Sequence, residues 1–583
     1  MGPYSVCPKV TLSLTRSASE GLTHAPVRLD ADVYMPDGDG PFPVLLMRQP
    51  YGRAIASTVV YAHPIWYASH GYIVVIQDVR GRGTSQGEFK LFQHESEDGY
   101  DSVMWAAALP KSDGQVGMYG FSYQGMTQLY AAARHPEPLK TIVPAMAGYD
   151  LYADKAYENG ALLLQAGLGW ALQLAAETAR LRKDEKSYQA LYTAAHDLPL
   201  SDPTPARPEI LNALASDSFF HDWLDHPYPD EYWYALTPDL SQVDLPMLHI
   251  GGWFDPYLRG NVRLYRQMRT QSSQPQHLWI GPWGHIPWGR RVGNRDFGPA
   301  ANSPIDRLQL RWFDWILKGL ATGIDQSDPV RLFAMGTNQW QTFSDWPSGP
   351  TQPLYLTSTG LAGMDQTDGQ LMDQANDRRS ERVVDIPDGV DVLVHDPWRP
   401  VPSLGGHGSI PSGSFERGSI DCRSDVLTYT SIPVAEPIQV AGNCTVQVFC
   451  RADAPSFDIN AILSEVFPDG RVMNLTQGHI CARSDGGNSH QRAASDNDTP
   501  EYIWTVDVPL QPTCFTIPAG HALRLSLAAA CFPAYAVNPG TGQPAGQSRL
   551  IDQRMITLQV LHGQAYPSHL ALPLSDPTTR PWS

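Results

Sequence analysis

The run Met118-Tyr-Gly120-Phe-Ser122-Tyr123-Gln-Gly125 sets a serine between two glycines, after a β-type stretch (115–119) and before a helix-compatible one (126–134). A serine on a tight, strained strand-to-helix turn presents its hydroxyl, and the helix that follows starts with N–H groups free to face an oxyanion. Gly120 and Gly125 remove side chains where the backbone has to pass its neighbours closely. The chemistry such a turn serves is acyl transfer through a covalent acyl-enzyme. The pattern differs from the common G-x-S-x-G, because its glycine comes one position later, after Gln124. On its own, a G-x-S-x-x-G run is frequent in loops.

A serine hydroxyl is a weak nucleophile at neutral pH and needs a base that is itself oriented by an acid. Two later segments supply both, in the order serine, acid, histidine expected of an α/β hydrolase. In Ile250-Gly-Gly-Trp253-Phe-Asp255-Pro, Asp255 follows an apolar strand and precedes a helix carrying Leu258, Val262 and Leu264. Taken singly it would read as a helix N-cap. In Ile280-Gly-Pro-Trp-Gly-His285, a glycine- and proline-rich turn carries the histidine beyond a strand. Residues at strand carboxyl ends meet in one cleft, so Ser122, Asp255 and His285 are the expected nucleophile, orienting acid and base. The amide of Tyr123 is the first expected oxyanion donor. The second should come from Arg48-Gln-Pro-Tyr51-Gly, which lacks a glycine run, so the Tyr51 phenol is the candidate.

The elements that must hold these residues alternate. Apolar runs at 43–48 and 71–77 read as strands buried on both faces of a mostly parallel sheet, and strand signals recur at 139–145, 246–250 and 276–280. Helical spacing appears at 97–109 and 306–320. Between about 149 and 240 strand signals fade and long helical stretches such as 161–177 take over, as in a cap inserted after a central strand. From about 353 the chain is β-type with many turns, including 444–450, 461–466 and 522–527, which suits a sandwich or jelly roll. The expected division is an α/β-hydrolase catalytic domain (1–148 and 241–350), a helical cap (149–240) and a jelly-roll β-sandwich domain (351–583). The polar stretch 484–499 reads as a mobile loop.

Composition narrows the partners. The chain has 583 residues, is 42% hydrophobic and carries a formal charge of −18, which argues against nucleic acid or an anionic membrane as the main partner. The N-terminus lacks a basic start followed by an apolar stretch, and no apolar run is long enough to span a bilayer, so the cytoplasm is the expected location. The seven cysteines form no C-x-x-C pair and read mostly as buried thiols of a β core. His63, His94 and His407 have no partners at metal-ligand spacing, and Gly81-Arg-Gly-Thr-Ser-Gln-Gly87 spaces its last glycine one position late for a dinucleotide loop. No metal and no cofactor are expected. Asn443, Asn474 and Asn497 stand in glycosylation sequons that mean little without secretion. A homo-oligomer is left open.

Several spaced motifs together resemble the cocaine esterase-like (CocE/NonD) hydrolases, relatives of the X-Pro dipeptidyl-peptidases and α-amino-acid ester hydrolases. They are Arg48-Gln-Pro-Tyr51, the segment 77–89 from Gln77-Asp-Val-Arg to Gly-Glu-Phe89, Gly117 to Gly125, Gly251 to Asp255, Gly281 to His285, and Arg311 to Gly319. The resemblance spans nearly the whole chain. It implies an α/β-hydrolase domain, a helical cap and a jelly roll, with Ser122 as nucleophile, His285 as base, Asp255 as orienter, and Tyr51 and Tyr123 forming the oxyanion hole. The α-amino-acid ester hydrolases hold a substrate ammonium with carboxylates, part of them just past the catalytic aspartate. Here Pro256-Tyr257-Leu258 follow Asp255, while Glu158 and Asp150 remain in the cap entrance. The aromatics Trp170, Trp253 and Tyr257 suggest an apolar acyl pocket. The expected activity is hydrolysis of small-molecule esters or amides with a hydrophobic or aromatic acyl group. An amidase or acyltransferase acting on a secondary metabolite, an X-Pro peptidase or amino-ester hydrolase, and a catalytically inactive carbohydrate-binding scaffold are the alternatives.

Overall fold

A computed structural model describes residues 2–16, 27–373, 388–483, 489–493 and 502–574. Its first sheet has ten strands: β1 (Val10–Arg16), β2 (Val27–Tyr34), β3 (Phe42–Gln49), β4 (Ile73–Asp78), β5 (Ser112–Phe121), β6 (Leu139–Ala145), β7 (Met247–Phe254), β8 (Gln276–Gly284), β9 (Val330–Ala334) and β10 (Gln339–Phe343). The spatial order is β1-β2-β4-β3-β5-β6-β7-β8-β9-β10. The strands from β4 through β3 to β9 run parallel, and the two ends are closed by antiparallel pairing. Every residue of β3, β4 and β7 is buried, the pattern of a sheet covered on both faces.

Helices supply that cover. α1 (Glu95–Ala107) and α2 (Tyr123–Ala132) pack on one face, where Val103, Ala106, Met126 and Leu129 share a core with Val44, Leu46 and Val116. An amphipathic helix, Ile305–Lys318, lays Trp312, Phe313 and Leu317 on the other face against Tyr119 and Val143. Between β6 and β7 the chain leaves the sheet. It makes a π-helical turn (Leu151–Ala156), a two-strand hairpin (Tyr157–Glu158 with Ala161–Leu162), α3 (Leu164–Leu181), α4 (Glu185–His196) and three short helices. These lie over the carboxyl ends of the strands.

The C-terminal part is a second, largely antiparallel twelve-stranded sheet, beginning at Thr351–Thr357, with a separate pair Ile438–Gly442 and Thr513–Ile517. It is not a separate globule. One apolar cluster runs from Trp253, Phe254 and Leu278 through Phe333 to Val440, Phe515 and Leu527. Cys444, Cys450 and Cys514 are free thiols within that β core. The architecture is an α/β-hydrolase fold with an inserted helical cap and a C-terminal β domain. Of the polar stretch 484–499 only 489–493 is described, and there the loop expectation is corrected. Ser489–Ala493 is a strand paired with Tyr502–Val506, held by its backbone ladder rather than by any apolar alternation. The remainder, with the Asn497 sequon, lies outside the described residues.

Candidate active site

The sheet register sets the site. Phe121 pairs with Ala145, Ala145 with Ile250 and Ile250 with Trp279, so β5, β7 and β8 release their chains at one edge. Ser122, Asp255 and His285 are the residues carried past that edge. Ser122 takes φ 59° and ψ −122° between β5 and α2. A residue with a Cβ holds such a conformation only when its surroundings enforce it. The enforcement is visible on both sides. A Cβ on Gly120 would lie 2.4 Å from Gln124 Cβ, and one on Gly125 would lie 2.7 Å from Ala147 Cβ. The Ser122 amide donates to Ala145 O at 2.9 Å, while its side chain makes no capping bond to the helix it starts. The hydroxyl is therefore not spent on structure.

Asp255 is fully buried, and His285 is part-exposed. His285 Nδ1 and Asp255 Oδ1 are 2.7 Å apart, and the second carboxylate oxygen accepts the Tyr257 amide at 3.2 Å. Gly252 permits this approach, since a Cβ there would lie 2.4 Å from the Trp283 carbonyl oxygen. A bulge between Gly281 and Gly284 then turns the end of β8. The His285 ring is held by Phe121, next to the serine, at a centroid distance of 5.5 Å, and by Tyr257 at 5.2 Å.

Tyr51 follows β3. Its phenol oxygen accepts Trp170 Nε1 from α3 at 3.1 Å and lies within side-chain hydrogen-bonding reach of Ser122. Loss of solvent pushes its pKa up to about 12, so it stays a proton donor. The loop is clamped from below, where Gln49 Oε1 accepts the Tyr51 amide at 2.8 Å and Asp78 accepts the Arg53 amide at 2.7 Å. Tyr123 supplies the first amide of α2, which has no carbonyl partner inside the helix. Its phenol donates to Glu95 at 2.7 Å, and Glu95 takes the fully buried Arg48 at 2.6 Å. Glu95 was not anticipated from the sequence; its only signal is an acidic residue in the first turn of α1.

Two of the three aromatics expected at an acyl pocket converge. Trp170 and Tyr257 flank one ammonium, that of Lys155, at 5.1 and 3.9 Å from their ring centres. Trp253 is a correction. It is buried in the cluster shared with the C-terminal domain, and its indole N–H donates to Phe333 O at 2.7 Å. The strand ends at Phe254, so Trp253 still points into the sheet's packing while Asp255 stands on the turn beyond it, and closeness in sequence did not put the two side chains together. The cap carboxylates are also engaged elsewhere. Asp150 accepts the Ala153 amide, and Glu158 is paired with Arg259 at 2.5 Å and His407 at 2.8 Å. The glycine loop 81–87 is closed down on the protein, since a Cβ on Gly83 would lie 1.9 Å from Asp78 Oδ2. A cavity of about 690 Å³ behind α3, lined by Arg82, Phe89, Thr178 and Phe219, contains none of Ser122, Asp255 and His285.

Fold and site geometry together define an α/β hydrolase with a serine at the strained turn that follows its central strand. Residues 24–287 match the X-Pro dipeptidyl-peptidase (S15 family) model, and residues 322–571 match that of the X-Pro dipeptidyl-peptidase C-terminal non-catalytic domain. The chain is 31% identical over 571 residues to the cocaine esterase of Rhodococcus sp. (strain MB1 Bresler), covering 94% of this chain and 96% of that one. By shape it is similar to an aminopeptidase from a marine sediment archaeon (Thaumarchaeota; TM-score 0.77, 23% identity, 97% and 96% of the two chains). It is likewise similar to an α-amino acid ester hydrolase (TM-score 0.73, 21% identity, 97% and 96%). The chain belongs to the cocaine esterase-like family of serine hydrolases, and it is an enzyme of that group. Among the described residues no helix is long and apolar enough to cross a membrane.

Proposed function

We propose that the protein hydrolyses carboxylic esters with a hydrophobic or aromatic acyl group through an acyl-enzyme on Ser122. The observation that carries this reading is the 2.7 Å His285–Asp255 contact at the strand edge where Ser122 also emerges. Asp255 fixes the imidazole with Nδ1 toward the carboxylate, which leaves Nε2 to take the Ser122 proton. Ser122 Oγ then bonds to the acyl carbon, and the carbonyl electrons move to oxygen. That oxyanion meets the Tyr51 hydroxyl and the Tyr123 amide. Collapse breaks the ester bond, and His285 returns its proton to the departing alcohol. Water repeats the sequence on the acyl-enzyme and restores Ser122.

Aromatic rings beside Tyr51 and His285 favour a flat or apolar acyl group. The amine-anchored alternatives need a carboxylate turned to the acyl group, whereas Glu158 is buried in ion pairs with Arg259 and His407 and Asp150 caps the turn Leu151–Ala156. The test is hydrolysis of p-nitrophenyl acetate, butyrate and benzoate, a free α-amino ester and an X-Pro anilide, with Ser122→Ala alongside. Turnover of the simple or aromatic esters should fall about 10⁴–10⁶-fold in the variant. Turnover confined to the amine-bearing substrates would overturn the reading in favour of the peptidase or amino-ester branch. An acyl-transferring or inactive protein would hydrolyse none of them, and fluorophosphonate labelling of Ser122 separates those two.

A further inference from the structure

Lys155 takes no part in the chemistry above, yet its ammonium lies one side chain from it. Its Nζ sits 3.9 Å from the ring centre of Tyr257, which touches His285, and 5.1 Å from that of Trp170, which donates to Tyr51. Only 3% of the residue is exposed. Burial pulls its pKa down to about 8, against the opposing fields of Asp255 and Asp154. Neither carboxylate is its partner. Asp255 is committed to His285, and Asp154 to Arg263 at 2.6 Å and the Asp150 amide at 3.0 Å. Among the described residues Lys155 makes no hydrogen bond or ion pair; its contacts are the two ring faces.

A lysine side chain this buried without an anion is costly, and proteins keep such groups where a ligand completes them. The backbone points the same way. Lys155 lies in the π-helical turn Leu151–Ala156, an irregularity that is frequent at functional sites and re-aims the side chains it carries. We infer that Lys155 is a specificity residue that receives a carboxylate on the acyl group, so that the favoured substrates are monoesters of dicarboxylic, preferably aromatic, acids. The Trp170 and Tyr257 rings would pack the body of the acyl group while the ammonium takes its far end. The inference rests on the esterase reading and inverts the charge logic of an amine-anchoring site.

The test compares kcat/KM for monoethyl terephthalate, ethyl 4-methylbenzoate and ethyl 4-(aminomethyl)benzoate, with 4-(acetoxymethyl)benzoate carrying its carboxylate on the alcohol side. The unaltered protein should prefer monoethyl terephthalate to its neutral analogue by roughly tenfold or more, the scale of one hydrogen bond to a charged group. Lys155→Met should bring that ratio close to one, and Lys155→Glu should move the preference to the ammonium ester. The ratio is taken within each enzyme, so a general loss of activity cancels. Inhibition by terephthalate, tighter than by 4-methylbenzyl alcohol and competitive with the neutral ester, needs no variant. No preference in the unaltered protein, a ratio that survives Lys155→Met, or a preference for the carboxylate on the alcohol side would each overturn the assignment. Failure of the esterase reading looks different, because then neither monoethyl terephthalate nor ethyl 4-methylbenzoate is hydrolysed by the unaltered protein or the variants.

Discussion

Ser122 and Tyr51 divide the proposed work between a strained backbone and a side-chain donor. Tyr51→Phe keeps the ring and removes the hydroxyl that Trp170 holds. Loss of one oxyanion donor costs about 10²–10³ in kcat, so that drop is expected with KM nearly unchanged, measured on p-nitrophenyl butyrate. Because the phenol's pKa is pushed up to about 12, an alkaline fall in kcat well below that pH would belong to another group. Lys155 gives the opposite kind of signature. Its charged form is disfavoured in the folded state, so between pH of about 8 and its ordinary 10.5 the unfolded chain binds the extra proton, and stability rises with pH across that window. Lys155→Met should therefore stabilise the protein at pH 7 by on the order of 2–3 kcal/mol, with the gain fading as pH climbs toward 10.5 in parallel urea melts. Ser122, Asp255 and His285 were legible because each sits on a turn with a local signature after an apolar strand. Lys155 was not, since one lysine in a helix-like stretch looks like a solvated surface residue, and only the cap's return over the sheet buries it.

Among the elements, α3 and the turn that carries Ser122 have the most exposed dependencies. Trp170 links α3 to Tyr51 and packs on Phe219 at 5.0 Å. Trp170→Ala and Tyr257→Ala should each lower kcat/KM on aryl esters by about ten- to a hundredfold, and unchanged values would remove both rings from the acyl pocket. Gly125→Ala puts a methyl group 3.0 Å from Ala145 O as well as against Ala147, and it should cost about 1–3 kcal/mol, read as a lowered Tm. The central parallel strands were legible from sequence because both faces are covered and their apolar runs are continuous. Two kinds of element were not. The edge strand Ser489–Ala493 has no apolar face to announce it. The hairpin of Tyr157–Glu158 with Ala161–Leu162 is too short to show a period, so the cap reads as wholly helical.

That hairpin joins the parts of the molecule. Glu158 is fully buried and accepts Tyr535 OH at 2.6 Å and the His479 amide at 3.3 Å, besides its pairs with His407 and Arg259. Burial alone would push this carboxyl up. The charges of Arg259 and His407, with the bonds from His407 and Tyr535, more than reverse that and hold it well below the usual carboxylate range. A depressed carboxyl contributes stability above its ordinary pKa of about 4.5 and loses it only as pH falls through the lower folded value. Glu158→Gln should then cost about 3–5 kcal/mol at pH 7, because Arg259 is left without its counter-charge. The deficit should shrink as pH falls below about 4 toward the lower folded value, read as a narrowing gap between chemical melts of the two proteins.

The same cluster bears on how such chains can be recombined. The two family matches leave a seam between residues 287 and 322, where a domain swap between relatives would ordinarily be cut. Glu158 and Arg259 lie on one side of that seam, and His407, His479 and Tyr535 on the other. A hybrid spliced there inherits half a charge network on each side, so the unit that can be exchanged is the β domain together with the cap hairpin that it grips and Arg259, which pairs with that hairpin.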